Sequence, residues 1–343
     1  MPRVGLVVNP AAGRDIRRLT GGASVVDDYA KRRVADCVLK GLTAVADPPT
    51  VRLMPDRSGI ADHVLAEAPD ELEAEALEIP LERSAADTRR AAARFREDGV
   101  EAVVVLGGDG TTRDVAGEIG SVPVVSVSTG TNNVVPSAVD GTVAGVAAAL
   151  VATGTVLAAS VVERHGRIEA RAETPNGEKR LDALAAAEVS SRSFVGSRAL
   201  LEPDDLVGGV VSRAHPGDIG LPAVAGALEP LAPDDPGGVA LRLTDPEDAP
   251  RTARAALAPG VVATVGIESV ERIGPDDPVR FEVPDGVVGA DGERELELTD
   301  ATVEFRVRAD GPRLVDVDAT LSAGSEAGAF ALEAADRPPA SED

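Results

Sequence analysis

Residues 103–111 read Val103-Val104-Val105-Leu106-Gly107-Gly108-Asp109-Gly110-Thr111, and the order of residue types in this stretch decides the fold. Val100 to Leu106 is a short, almost wholly apolar run, the pattern of a strand buried on both faces. It breaks at two glycines, which permit positive φ and let backbone N–H groups approach an anion. Thr112 to Ile119 then continues as a helix, whose N-terminus favours negative charge. A strand, a glycine turn and a helix in that order form an anion cradle, and here an acid, Asp109, stands inside it.

The same grammar extends on either side. Arg3 to Val8 is a short buried-strand run, Val25 to Val45 places Val25, Val26, Tyr29, Val38 and Leu42 at mostly helical intervals, and Val51 to Met54 returns to a strand. Ser84 with Asp87 three residues later predicts a capped Ala-rich helix that stops at Gly99. A second crossover through Thr112 to Ile119 leads into Val122 to Val127. Strands alternating with helices predict a doubly wound, mostly parallel α/β sheet over residues 1–137, with ligands bound outside the carboxyl ends of the strands.

Beyond a helix over Val139 to Val151 the pattern changes. Val156 to Val162, Arg167 to Glu173, Ala185 to Ser191, Val239 to Leu243, Val261 to Val265, Val279 to Val283, Glu295 to Leu298 and Thr302 to Val307 read as strands with little helix between them. This predicts a second domain over 138–335, a helix followed by an all-β, sandwich-like arrangement, with a disordered tail over 336–343. Pro203 to Gly238 reads as a long irregular excursion.

Composition narrows the function classes. The 343 residues carry a formal net charge of −24, and only Lys31, Lys40 and Lys179 interrupt an otherwise all-Arg basic complement. With no basic stripe to release counterions, nucleic acid and anionic membrane are not expected partners. An acidic excess spread along the whole chain fits a salt-rich cytoplasm, where screening tolerates the self-repulsion. The single cysteine, Cys37, excludes an intrachain disulfide framework. Met1 to Val8 passes straight into a strand without a signal-peptide pattern, so a cytoplasmic location is expected. His63, His165 and His215 are isolated, lack metal-ligand spacing and read as surface or packing residues.

The chemistry gathers at three strand ends. Asp109 opposes a phosphate by simple charge, so its presence makes sense if it faces a metal ion or accepts a proton from an attacking hydroxyl. The blander alternative is a tight turn capped by Asp109. The dinucleotide fingerprint G-x-G-x-x-G fails, because Arg113 holds the third glycine position. The first strand leads into Asn9-Pro10-Ala11-Ala12-Gly13, and Val122 to Val127 leads into Ser128-Thr129-Gly130-Thr131-Asn132-Asn133. Each turn alone is ordinary loop chemistry. In a parallel sheet all three emerge along one edge.

These residues resemble a known group of proteins. Asn9-Pro10 with Gly13, the Gly107 to Thr111 turn followed by Arg113-Asp114, and Gly130-Thr131-Asn132-Asn133 are similar to the superfamily of NAD kinases, diacylglycerol kinases and sphingosine kinases, in its archaeal and bacterial ATP-NAD kinase-like branch. The resemblance runs on through Ala187-Glu188, Ser193 to Arg198, Gly217 to Leu221, Asp291-Gly292-Glu293 and Asp310-Gly311-Pro312. It implies ATP as donor, a nucleotide in the interdomain cleft, Mg²⁺ as divalent metal, and a homo-oligomer. It further implies Asp109 as catalytic acid/base. Asn9, Gly13, Gly107, Gly108, Gly110, Thr111, Thr131, Asn132, Asn133 and Glu188 are the implied nucleotide contacts, with Asp291 and Glu293 beside the metal. Two departures bear on the acceptor. NAD kinases of the familiar type carry Asn-Glu where this chain has Ala187-Glu188, and the Gly130 turn follows the lipid-kinase pattern. Unaided, Asp291-Gly292 reads as a hairpin turn; the resemblance makes it a metal site instead. The leading expectation is a kinase that converts NAD to NADP. The alternatives are a lipid or small-polyol kinase, and a nucleotide-binding accessory protein without turnover.

Overall fold

The computed structural model describes residues 1–12, 26–130, 133–191 and 205–331. The elements follow in chain order: β1 (Arg3–Val8), α1 (Asp28–Leu42), β2 (Thr50–Leu53), α2 (Ile60–Ala66), β3 (Ala74–Ala76), α3 (Ala85–Glu97), β4 (Ala102–Gly107), α4 (Asp109–Ile119), β5 (Pro123–Ser128), α5 (Gly141–Ala152), α6 (Ala158–Val161) and β6 (Val162–Arg164). The antiparallel region then contains β7 (Arg167–Thr174), β8 (Gly177–Ala183), β9 (Ala186–Ser190), β10 (Leu206–Val211), α7 (Leu221–Gly226), β11 (Gly238–Thr244), β12 (Arg251–Ala258), β13 (Val261–Ile273), β14 (Val279–Ala290) and β15 (Glu293–Arg308). Last come β16 (Arg313–Val315) and α8 (Val317–Glu326).

The first sheet has the strand order β3-β2-β1-β4-β5-β16-β6, and its pairs are parallel except for β16 with β6. Strands β1 and β4 are buried throughout apart from Arg3, which is why they read as continuous apolar runs. Helix α1 buries Lys31, Ala35, Val38, Leu39 and Leu42, an i, i+4, i+7, i+8, i+11 stripe facing the sheet. Ser84 caps α3 by accepting from the Ala86 N–H, while Asp87 turns back to the amides of Glu82 and Arg83. Helix α5 is apolar all round and almost entirely buried between α1 and the sheet. Its approach to α1 depends on glycine: a Cβ at Gly41 would lie 2.0 Å from the Thr142 carbonyl oxygen, and one at Gly145 would lie 2.2 Å from that of Val38.

The expected boundary at residue 137 does not coincide with the division of the sheets. Helix α5 belongs to the first domain, and the chain returns to it after the antiparallel region. There β16 pairs with β5 and α8 packs on α5. The segment read as a strand over Val156 to Val162 is mostly the short helix α6.

Among the described residues the second domain is antiparallel throughout: nine strands in one continuous sheet of order β12-β13-β11-β10-β9-β14-β15-β7-β8. In β9 and β10 successive residues serve opposite faces. Ala187, Val189 and Val210 join the core with Phe281 and Phe305, while Ala186 and Val211 join a second core under α7. Thus the central strands are covered on both sides, and a single sheet supplies the layered core expected of a sandwich.

Candidate active site at the carboxyl edge of the parallel sheet

Strands β1, β4 and β5 are direct neighbours, with Val8 opposite Leu106 and Gly107 opposite Ser128, so the turns that follow them lie side by side. The Asn9 N–H donates to the Leu106 carbonyl at 3.1 Å, and the Thr129 N–H donates to that of Gly107 at 2.9 Å. Side chains complete the join. The Asn9 amide donates to the Thr111 hydroxyl at 2.8 Å, and the Asn133 amide donates to the Ser128 hydroxyl at 2.5 Å. Lys31, fully buried, donates to the Pro10 carbonyl at 2.8 Å and so braces the first turn from α1. Of the expected contacts, Gly13, Thr131 and Asn132, and the segment 193–198, lie outside the described residues.

Glycine is required where these turns meet. A Cβ on Gly130 would lie 2.9 Å from the Gly108 Cα and 2.5 Å from the Asn133 Oδ1, and a Cβ on Gly107 would lie 2.5 Å from the Thr111 Cβ. Gly108 is also the N-cap of α4 and has no side chain to satisfy the helix's first amides, the arrangement that suits an anion.

Asp109 is the first residue of α4 and is 3% exposed. It does not cap its own turn. Its two carboxylate oxygens accept the backbone N–H groups of Val134 at 2.9 Å and Val135 at 2.8 Å, on the stretch that leaves the β5 turn. Burial and the neighbouring charge of Asp291 push its carboxyl up to about 7, against the pull of the two amides and of Arg213. A carboxyl that is half ionised near neutrality, at the phosphate edge of an α/β sheet, can take a proton from a hydroxyl.

The second domain supplies the opposite wall. Asp291 sits at a left-handed φ of 55° in the turn between β14 and β15, a conformation that aspartate tolerates better than most residues. Its Oδ1 accepts the amides of Ala185 at 2.8 Å and Leu184 at 3.0 Å, and its Oδ2 lies 3.3 Å from an Arg113 Nη1. The other Arg113 nitrogen donates to Glu295 at 2.9 Å. The buried Glu188 accepts from the Gly292 N–H at 3.2 Å, and Ala187 points into the core of the sheet. Arg213 presents its guanidinium edge-on to Asp218, at 2.9 and 3.2 Å.

This geometry gives Asp291 an anchoring role beside the expected metal role. Both of its oxygens are engaged by amides and a guanidinium, and among the described residues no three His, Cys, Asp or Glu side chains gather to hold an ion. A cation there would share the Asp291 oxygens with Arg113 and with the amides of residues 184 and 185. Glu293 begins β15 opposite Ala290 and is only half-buried. His165, expected as a surface or packing residue, is buried and donates through Nδ1 to the Gly166 carbonyl; burial holds its pKa down to about 4.

Three residues complete the site in ways the sequence does not show. Val134 and Val135 act through backbone amides, and Arg113 reaches a turn 178 residues away. Arg113 belongs to the motif that carries the resemblance, and it stands one helical turn after Asp109, a placement that puts both on one side of the helix.

Comparison with known proteins follows the same division. Residues 4–156 match the ATP-NAD kinase N-terminal domain, and residues 166–310 match the Acetoin catabolism protein X C-terminal domain. The Acetoin catabolism protein X of Cupriavidus necator is 38% identical over 331 residues, which cover 93% of this chain and 91% of that protein. Among solved structures, yeast NADH kinase complexed with NADH is similar at 13% identity and a TM-score of 0.49, covering 97% of this chain and 90% of that one. No helix among the described residues is long and apolar enough to cross a membrane. With an NAD-kinase-type first domain, a matching second domain and identity along nearly its whole length, the chain belongs to the acetoin catabolism protein X family.

Proposed function

We propose that this chain is an ATP-dependent kinase that transfers a phosphoryl group to a nucleotide hydroxyl, with NAD as the acceptor. The observation that carries the reading is Asp109. It is a buried carboxyl raised to about 7, set at the N-terminus of α4 between two glycine turns that a side chain would close. In the forward reaction the acceptor hydroxyl gives its proton to Asp109 as its oxygen attacks the γ-phosphorus of ATP. The bond from that phosphorus to the β,γ-bridging oxygen breaks, and ADP leaves with the electron pair. Gly107, Gly108, Gly110 and Thr111, with Asn9 and Asn133 behind them, hold the phosphates through the amides of the helix start. Glu188 lines the acceptor side in this reading. Ala187 contributes nothing to it, because its side chain is spent on the core.

At low ionic strength the acidic chain argues against a lipid acceptor, since an anionic leaflet attracts basic segments by about 1 kcal/mol for each Lys or Arg near it, and high salt screens that effect. A cytoplasmic, homo-oligomeric enzyme working at high salt is the setting that this reading assigns.

The acceptor is tested by incubating purified protein with ATP, Mg²⁺ and, in separate reactions, NAD, NADH, diacylglycerol, a sphingoid base and glycerol, across low and molar KCl. NADP or NADPH is the expected product. Labelled phosphate in a lipid or polyol, with none in either dinucleotide, would replace this acceptor with the other class.

A further inference from the structure

Asp109 and Asp291, on opposite sides of the domain junction, are tied into one closed circuit. Starting on α4, Asp109 holds the amides of Val134 and Val135. The side chain of Val135 packs with Leu184 and Ala185 of the second domain, with Val134, Ala116 and Leu314 against the same seam. The amides of Leu184 and Ala185 are in turn held by Asp291. Asp291 then meets Arg113, which stands one turn beyond Asp109 on α4 and closes the circuit. Glu295 grips the second nitrogen of the guanidinium and sets its plane.

Each carboxylate therefore clamps consecutive backbone amides on its own side of an apolar seam, and Arg113 adds an ion pair that joins the two halves. Arg113 is mostly buried, with a side-chain exposure of 16%, against 1% for Asp291. Its fork is suited to two acceptors at once, a geometry that an ammonium cannot copy. The charged groups that act on Asp109 are Asp291 and Arg213 from the second domain. Asp114, beside Arg113 on α4, is already engaged by Arg89 at 2.7 Å.

We propose that Arg113 is a positioning residue for Asp109: by fixing Asp291 and the 184–186 amides to α4, it sets where the Asp109 carboxylate stands relative to the second domain. It touches no substrate in this scheme. Losing it leaves Asp291 in place on its amides but without its counter-charge, and lets the seam between Val135 and Leu184 shift. Both effects reach Asp109. The proposal rests on the kinase reading for the consequence in turnover, but the state of the Asp109 carboxyl can be read without any turnover.

The test uses the full chain with Arg113→Gln and Arg113→Lys. The titration of Asp109 is followed by carbon-13 NMR of aspartate-labelled protein, assigned by subtracting the spectrum of Asp109→Asn, and kcat and KM for NAD are measured on the same samples. In folded Arg113→Gln the Asp109 titration is expected to move to higher pH, and kcat to fall by about 10-fold or more with KM little changed. Arg113→Lys, which keeps the charge and loses the fork, is expected to return the titration toward that of the unaltered protein while kcat stays low. An unmoved Asp109 titration in folded Arg113→Gln overturns the proposal even if no acceptor is ever found. If Arg113→Gln does not fold, Arg113→Lys decides alone: a lowered kcat at unchanged KM upholds the proposal, and kcat equal to that of the unaltered protein overturns it. Failure of the kinase reading shows separately, as absence of NADP with every variant.

Discussion

Asp109→Asn is expected to lower phosphoryl transfer by about 10²-fold or more, because an amide of nearly the same shape cannot accept the proton of the attacking hydroxyl. The fold should survive. Asn keeps one oxygen for the Val134 or Val135 N–H, so one buried amide loses its acceptor, at a cost of about 1–3 kcal/mol. The charge works in the opposite direction, and its sign follows from linkage. The Asp109 carboxyl titrates at about 7 in the folded chain against 3.8 when unfolded. Between those values the folded state holds a proton that the unfolded state has released. Stability associated with this group is therefore present below about pH 4 and is lost as pH rises through 7. Asn does not titrate. Chemical denaturation of both proteins from pH 4 to 8 should show the variant gaining on the unaltered protein as pH rises, together with a loss of transfer at every pH. Turnover near that of the unaltered protein would remove Asp109 from the chemistry.

The second large effect concerns stability. Asp291→Ala strands the buried amides of Leu184 and Ala185 and leaves Arg113 without the buried member of its pair. Removing one partner from such a pair costs about 3–5 kcal/mol. The left-handed backbone at residue 291 adds to the cost, since Ala tolerates that conformation less readily than Asp or Asn. Asp291→Asn retains a carbonyl for the amides and a residue that accepts positive φ, so it should lose less. Urea midpoints for the two variants check the order. Should Asp291→Ala fold as well as the unaltered protein while its Mg²⁺ requirement rises steeply, the anchoring role would give way to the metal role.

Much of the first domain was legible because its central strands β1, β4 and β5 are buried on both faces and its helices are bounded by strong local signals, such as Ser84 before α3 and Gly107-Gly108 before α4. Adjacency of the β1, β4 and β5 turns followed from parallel topology alone, and the Asn9 to Thr111 contact is its physical form. The antiparallel domain was harder to read. Strand β8, Gly177–Ala183, is an exposed edge strand with hardly any apolar alternation. Strand β10 lay inside a stretch read as irregular because of Gly208 and Gly209. Those glycines belong to the sheet: a Cβ on either would come within 2.2 Å of a carbonyl oxygen on a neighbouring strand. Strand β15 read as two strands because polar residues interrupt it near Asp300, which takes a positive φ of 49° without ending the strand. The anchoring role of Asp291 was hidden for a different reason. An Asp-Gly-Glu turn has the same appearance whether its carboxylate faces an ion or three backbone amides, and only the fold brings residues 184–186 beneath it.

Two domains thus meet at a carboxyl whose proton affinity is set by burial and by a charge from the far side of the junction. The pH dependence of kcat/KM for NAD, measured from pH 5 to 9 with saturating ATP, reports that carboxyl in the free enzyme. NADP formation is expected, with a rate that rises to a plateau through an acidic limb near pH 7, and that limb is lost in the residual activity of Asp109→Asn. A flat profile, a limb that survives unchanged in Asp109→Asn, or no phosphate on NAD at any pH would contradict it.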